Sequence, residues 1–163
     1  MTSTRKRRAT LLAAIISVLV LVLGVMPALA DTGSGVIQGT GTISPGLNVT
    51  PEKQEVTFDG TGAIVSDVGQ GTISCTFDGE STIEEDLSTG EGEGSLECTA
   101  QLVPSGSASA SCSVEYERHG SAVTVDGSCS GDIAGSVTAA CHFEPDPGLP
   151  VTSYRLQCTF AVS

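Results

Sequence analysis

The sequence predicts an all-β fold: an antiparallel β-sandwich or barrel of about nine strands, stapled by disulfides. Three observations carry this. From residue 31 onward no stretch shows the 3.6-residue apolar period of an amphipathic helix, while Thr, Val and Ile lie in short alternating runs. Gly, Asp, Ser and Pro punctuate those runs at regular intervals. Six cysteines (Cys75, Cys98, Cys112, Cys129, Cys141 and Cys158) each sit inside a period-2 apolar pattern.

Taken in order, residues 1–30 stand apart from the rest. Arg5, Lys6, Arg7 and Arg8 form a basic head, an apolar run extends from Ala9 to Met26, and Pro27-Ala28-Leu29-Ala30 supplies the small-x-small ending that signal peptidase accepts. This reads as a secretory signal peptide cleaved between Ala30 and Asp31, with a secreted product and a single β domain over 31–163. An uncleaved anchor is the rival reading, because 18 apolar residues just cross a hydrocarbon core. The strands are expected at 36–43, 55–58, 62–66, 70–77, 95–102, 111–117, 122–128, 135–143 and 152–161. The Asp-Gly pairs at 59–60, 78–79 and 126–127 read as tight turns, since Asp-Gly supplies the positive φ values of hairpin loops. A further turn is expected at His119-Gly120-Ser121. The Ser-rich stretch Pro104–Ser109 reads as a loop. Pro145-Asp146-Pro147-Gly148-Leu149-Pro150 cannot continue a strand.

An even number of cysteines in a small secreted domain reads as three disulfides. A zinc site needs closely spaced pairs, and the nearest cysteines here are 12 apart. Alternation places the sulfurs on interior faces: Ile73, Cys75 and Phe77 share one parity, as do Cys112, Val114 and Tyr116, and Tyr154, Leu156, Cys158 and Phe160. The hairpin turning near Gly120 is expected to bring Cys112 and Cys129 opposite each other or nearly so. Sequential pairing (75–98, 112–129, 141–158) is the favoured one of the fifteen connectivities, with inter-sheet bridging as its rival.

Composition explains why bridges are needed. Residues 31–163 carry three cations against nineteen acids, a net charge of −16. Ile, Leu, Val and Phe make up 28 of these 133 residues. That apolar share lies near the level below which highly charged chains stay disordered. The same acidity excludes a nucleic-acid binder working by counterion release and argues against docking on anionic membranes, so neither nucleic acid nor membrane is an expected partner after cleavage.

A resemblance can be stated on particular residues. Gly39-Thr40-Gly41-Thr42-Ile43-Ser44-Pro45-Gly46-Leu47 and then Val56-Thr57-Phe58-Asp59-Gly60-Thr61 resemble segments of small exported β-rich proteins of actinobacteria. The Tyr116-Glu117-Arg118-His119-Gly120 hairpin and the closing Leu156-Gln157-Cys158-Thr159-Phe160 are similar to theirs too. Those proteins have no assigned activity, so the resemblance implies no catalytic residue. In composition, and in the Pro45-Gly46-Leu47 turn, the chain is also similar to the neocarzinostatin-type chromoprotein apoproteins, which are acidic exported sandwiches with disulfides.

Reactive groups are few. No G-x-S-x-G nucleophile elbow and no Gly-Lys-Ser/Thr phosphate loop occurs. His119 falls in a polar turn, and His142 alternates with Cys141 and Phe143, so it should point outward. No catalytic residue and no cofactor is therefore assigned. Eight acids lie between residues 78 and 97. They read as a solvated acidic loop, with calcium binding by Asp78, Glu80, Glu84, Glu85 and Asp86 as the alternative. Asn48-Val49-Thr50 matches a glycosylation sequon only formally, with Pro51 following. The expected role is non-enzymatic, binding or structural, with an extracellular protein or a small molecule as partner. The alternatives are a secreted peptidase inhibitor presenting loop 144–151, a carrier of an apolar small molecule in a groove between sheets, and a small hydrolase.

Overall fold

Alternation of mostly apolar or small inward residues with mostly polar outward ones runs through eight strands that close on themselves. The computed structural model describes residues 33–84 and 88–163. The strands are β1 (Gly33–Leu47), β2 (Thr50–Ser66), β3 (Gly69–Ile83), β4 (Thr89–Pro104), β5 (Gly106–His119), β6 (Ala122–Gly131), β7 (Gly135–Pro145) and β8 (Val151–Val162). Each runs antiparallel to the next, and β8 returns to β1, with Ile37 opposite Cys158. Of the two architectures expected from the sequence, an antiparallel sandwich or a barrel of about nine strands, the barrel is present, as an up-and-down meander of eight. Closure leaves no unpaired sheet edge.

The register fixes the bore. Cα partners can be followed once around the barrel from Arg118, through Val123, Cys141, Cys158, Ile37, Ile64, Gly71 and Leu102. The path returns to β5 at Gly106, twelve residues from its start. Strand number, stagger and diameter are linked, and a stagger larger than the strand number tilts the strands steeply and widens the interior.

Several sequence expectations are corrected here, the first being the loop expected at Pro104–Ser109, a Ser-rich stretch that lies in β4 and β5 except for Ser105. Segments 55–58 and 62–66 belong to one continuous strand, β2, and none of the three Asp-Gly pairs is a turn. In each pair the Asp faces solvent and the Gly faces the lumen, where a bulky side chain occupies the space a Cβ would need. A Cβ on Gly60 would lie 2.9 Å from the Tyr154 hydroxyl, one on Gly79 2.8 Å from the Phe77 ring, and one on Gly127 2.8 Å from Val114. The expected acidic loop is also mostly strand. Asp78 and Glu80 lie on β3, and Glu91, Glu93 and Glu97 lie on β4, all outward. The turn expected near Gly120 is found, with φ +63° at that glycine.

The three disulfides are the sequential ones, Cys75–Cys98, Cys112–Cys129 and Cys141–Cys158. Each joins directly opposed residues of a hairpin, with Cα atoms 4.1, 4.0 and 4.0 Å apart, the close spacing of a non-hydrogen-bonded antiparallel pair. All six cysteines face the lumen and form a belt around its waist. On the β1-end side of Leu47, above the belt, five of the six aromatic residues interlock. Phe58 meets Phe77, Tyr154 and Tyr116 edge-on at centroid distances of 5.5, 5.9 and 6.4 Å, and Phe143 stacks on Tyr154 at 5.2 Å. Below the belt, Ile64, Ala100 and Leu102 form a small cluster with Ile37, Ile73 and Phe160.

The rim below the belt is tied by two matching clamps. Asp67 accepts the backbone N–H and hydroxyl of Ser34, both at 2.9 Å. Asp132 accepts the backbone N–H and hydroxyl of Ser109, at 2.8 and 2.9 Å, and these bonds hold its carboxyl below the usual range. On the outer wall Glu80, Glu93, Glu115 and Asp126 are successive partners across β3 to β6. Lys53 reaches Glu93 at 2.5 Å and Glu80 at 3.3 Å, relieving part of the repulsion in that row.

Candidate functional site

The interior of the barrel is the candidate site. Inward positions of β1, β3 and β4 are rich in glycine, and those of β5 and β7 include Ala108, Ala110 and Ala139, so the wall contributes little side-chain volume outside the aromatic layer. What remains open is a cavity of about 350 Å³. Its lining runs from Asp67, Val68 and Val162 at one rim to Tyr116, Arg118 and Val123 toward the other. Small-molecule sites span roughly 300–1,000 Å³, so the volume suits one small ligand. The wall is apolar except for a few groups. The cavity takes the place of the groove between two sheets that a sandwich would have offered.

Ser81, Tyr116, Tyr154 and Arg118 bring polar groups into this interior. Ser81, the most deeply enclosed residue at 1% exposure, hydrogen-bonds through its hydroxyl to the Tyr116 hydroxyl. Burial pushes Tyr116 up and Tyr154 up to about 12, so both phenols stay neutral over the physiological range. Arg118 is 8% exposed. Its Nε donates to the Gly120 carbonyl at 2.7 Å, and its guanidinium carbon lies 5.6 Å from the centroid of the Phe143 ring. Burial holds the guanidinium below its ordinary value.

The residues singled out from sequence fall elsewhere. His119 and His142 are exposed, the latter 3.1 Å from Glu144 on the outer wall. Asp78 accepts from the Thr57 hydroxyl at 2.5 Å, Glu80 pairs with Lys53, and Glu84 lies exposed just past β3. Glu85 and Asp86 lie outside the described residues, as do the signal segment and its cleavage point at Ala30 and Asp31. Among the described residues no three His, Cys, Asp or Glu side chains come together as a metal site. Loop 146–150 is clamped at its base, where Ser153 donates to the Asp146 carboxylate at 2.7 Å, and it exposes Leu149. Arg118 escaped the sequence reading, although its parity with Cys112, Val114 and Tyr116 places it on the inward face.

Together these features define a class: a closed eight-stranded antiparallel barrel with a waist of disulfides and an apolar, partly open lumen. In comparisons with known proteins, no family model, no curated protein and no solved structure matches the chain.

Proposed function

We propose that this is a secreted, non-enzymatic binding protein that carries an apolar small molecule in its lumen. The observation that carries the reading is the cavity of about 350 Å³ with an apolar wall. A cavity of that kind excludes water from little but hydrocarbon, and burying apolar ligand surface there is favourable at about 25 cal/mol per Å². Three disulfides suit an oxidising compartment. The outward row of Glu93, Glu115 and Asp126 suits a surface in contact with water.

Native mass spectrometry of the protein purified from its own culture is expected to show one retained apolar molecule per chain. In titration with a neutral solvatochromic dye, uptake is expected to saturate at one to one. Ala139→Leu, which fills part of the cavity wall, is expected to weaken that uptake at least about tenfold, the equivalent of about 1.4 kcal/mol. Absence of uptake of every apolar molecule tried, neutral or charged, overturns the reading.

The exposed Leu149 in a loop braced by Asp146 favours one second reading, a peptidase inhibitor presenting residues 144–151. Inhibition of a secreted protease that is lost in Leu149→Ala would support it.

A further inference from the structure

Arg118 has no evident structural reason to carry a charge. It projects from β5 into an apolar interior, 8% exposed. Among the described residues no carboxylate forms an ion pair with it. Its one hydrogen bond uses Nε, toward the Gly120 carbonyl, and leaves the two Nη groups without a protein partner among those residues. None of the fully enclosed side-chain N or O atoms described is unpaired, so the Nη groups keep some accessible surface while most of the side chain is out of water, and Arg118 is among the residues that line the cavity. A buried charge without a counter-ion is costly, and a neutral side chain could equally pack on Phe143. The domain is otherwise strongly acidic, with only Lys53 and Arg155 as further cations after residue 31, both on the outer wall. Among the described residues the only positive group facing the lumen is therefore Arg118.

We propose that the lumen binds an amphipathic monoanion, an apolar body bearing one carboxylate, whose head group pairs with the Nη groups of Arg118 while the body occupies the cavity beyond it. The planar fork of a guanidinium matches a carboxylate with two parallel N–H···O bonds. Seating on the Gly120 carbonyl and the Phe143 ring fixes the orientation of that fork before a ligand arrives. This inference rests on the lumen being a binding site and adds the chemical class of what it binds.

The test uses protein purified from cells expressing the full chain, disulfides intact, titrated calorimetrically with dodecanoate and with dodecan-1-ol. Dodecanoate is expected to bind about ten- to a hundredfold more tightly. In Arg118→Gln the preference is expected to vanish through loss of dodecanoate affinity, with the alcohol unchanged. Arg118→Lys should keep part of the preference. Dodecanoate labelled with ¹³C at the carboxyl should show NMR contact with the Arg118 Nη protons in the wild type, which keeps the proposal falsifiable if the variants fail to fold. Equal affinities for acid and alcohol in the wild type overturn the anionic-ligand inference and leave the lumen reading standing. A preference that survives undiminished in folded Arg118→Gln overturns the assignment to Arg118. Binding of neither molecule overturns both readings.

Discussion

The two halves of the lumen are filled differently by the same alternating strands. Above the disulfide belt Phe58, Phe77, Tyr116, Phe143 and Tyr154 interlock, and glycines on neighbouring strands make room for their rings. Below it only Phe160 is aromatic, packed with Ile37 and Ile73 against the smaller cluster of Ile64, Ala100 and Leu102. One half is filled largely by interlocked rings and the other by smaller aliphatic side chains, and residues of both line the cavity. A cavity costs dispersion contacts, and the belt between the halves helps to offset that cost covalently.

The comparison breaks most severely if the belt is opened. The bridges close loops with sequence separations of 23, 17 and 17. Each contributes on the order of 3 kcal/mol, so the three together rival the roughly 5–15 kcal/mol of a whole small domain. The reduced protein is expected to be unfolded at 37 °C, and an unchanged circular dichroism spectrum after reduction would count against this.

Substitutions on either side of the belt should differ in sign and size. Phe77→Ala, in the ring-filled half, is expected to cost about 3–5 kcal/mol in denaturant unfolding. Ala139→Leu, facing the open cavity, is expected to change stability by less than about 1 kcal/mol, because overpacking penalties arise only where space is already filled. Equal costs for the two would mean that the lumen is uniformly packed.

A smaller effect concerns alkaline pH. Tyr154, in the ring-filled half, has its phenol raised from about 10 unfolded to about 12 folded. The folded state therefore favours the neutral phenol. The associated stability is fully present below pH 10 and is lost as pH rises to about 12, by on the order of 2–3 kcal/mol. Following unfolding at pH 9, 10.5 and 12 in the wild type and in Tyr154→Phe checks this, and the variant should lose much of the decline.

Several of these features were legible in the sequence, each for a physical reason. Period-2 alternation placed Cys75, Cys112 and Cys158 on the inner face, and direct opposition of hairpin neighbours made sequential pairing the natural connectivity. Closure of β1 against β8 was not legible, because the pairing of Gly35 with Phe160 joins chain ends that no local pattern links. The Asp-Gly pairs misled for an instructive reason. The dipeptide that turns a hairpin also suits a strand whose inner neighbour is an aromatic ring, and the distinction depends on Tyr154, which lies about ninety residues beyond Gly60. Arg118 was hidden by its position beside a turn, where charged residues are ordinary, although parity alone pointed it inward.

The disulfide connectivity has a consequence for how the molecule is made. Each bond joins a cysteine to the next one in the chain. A polypeptide that emerges amino end first presents Cys98 when Cys75 is the single thiol waiting, and the same holds for Cys129 after Cys112 and for Cys158 after Cys141. Vectorial emergence thus selects the correct partner from the fifteen possible connectivities of six cysteines at every step. Where oxidation keeps pace with emergence, the order of delivery alone yields the native pairing.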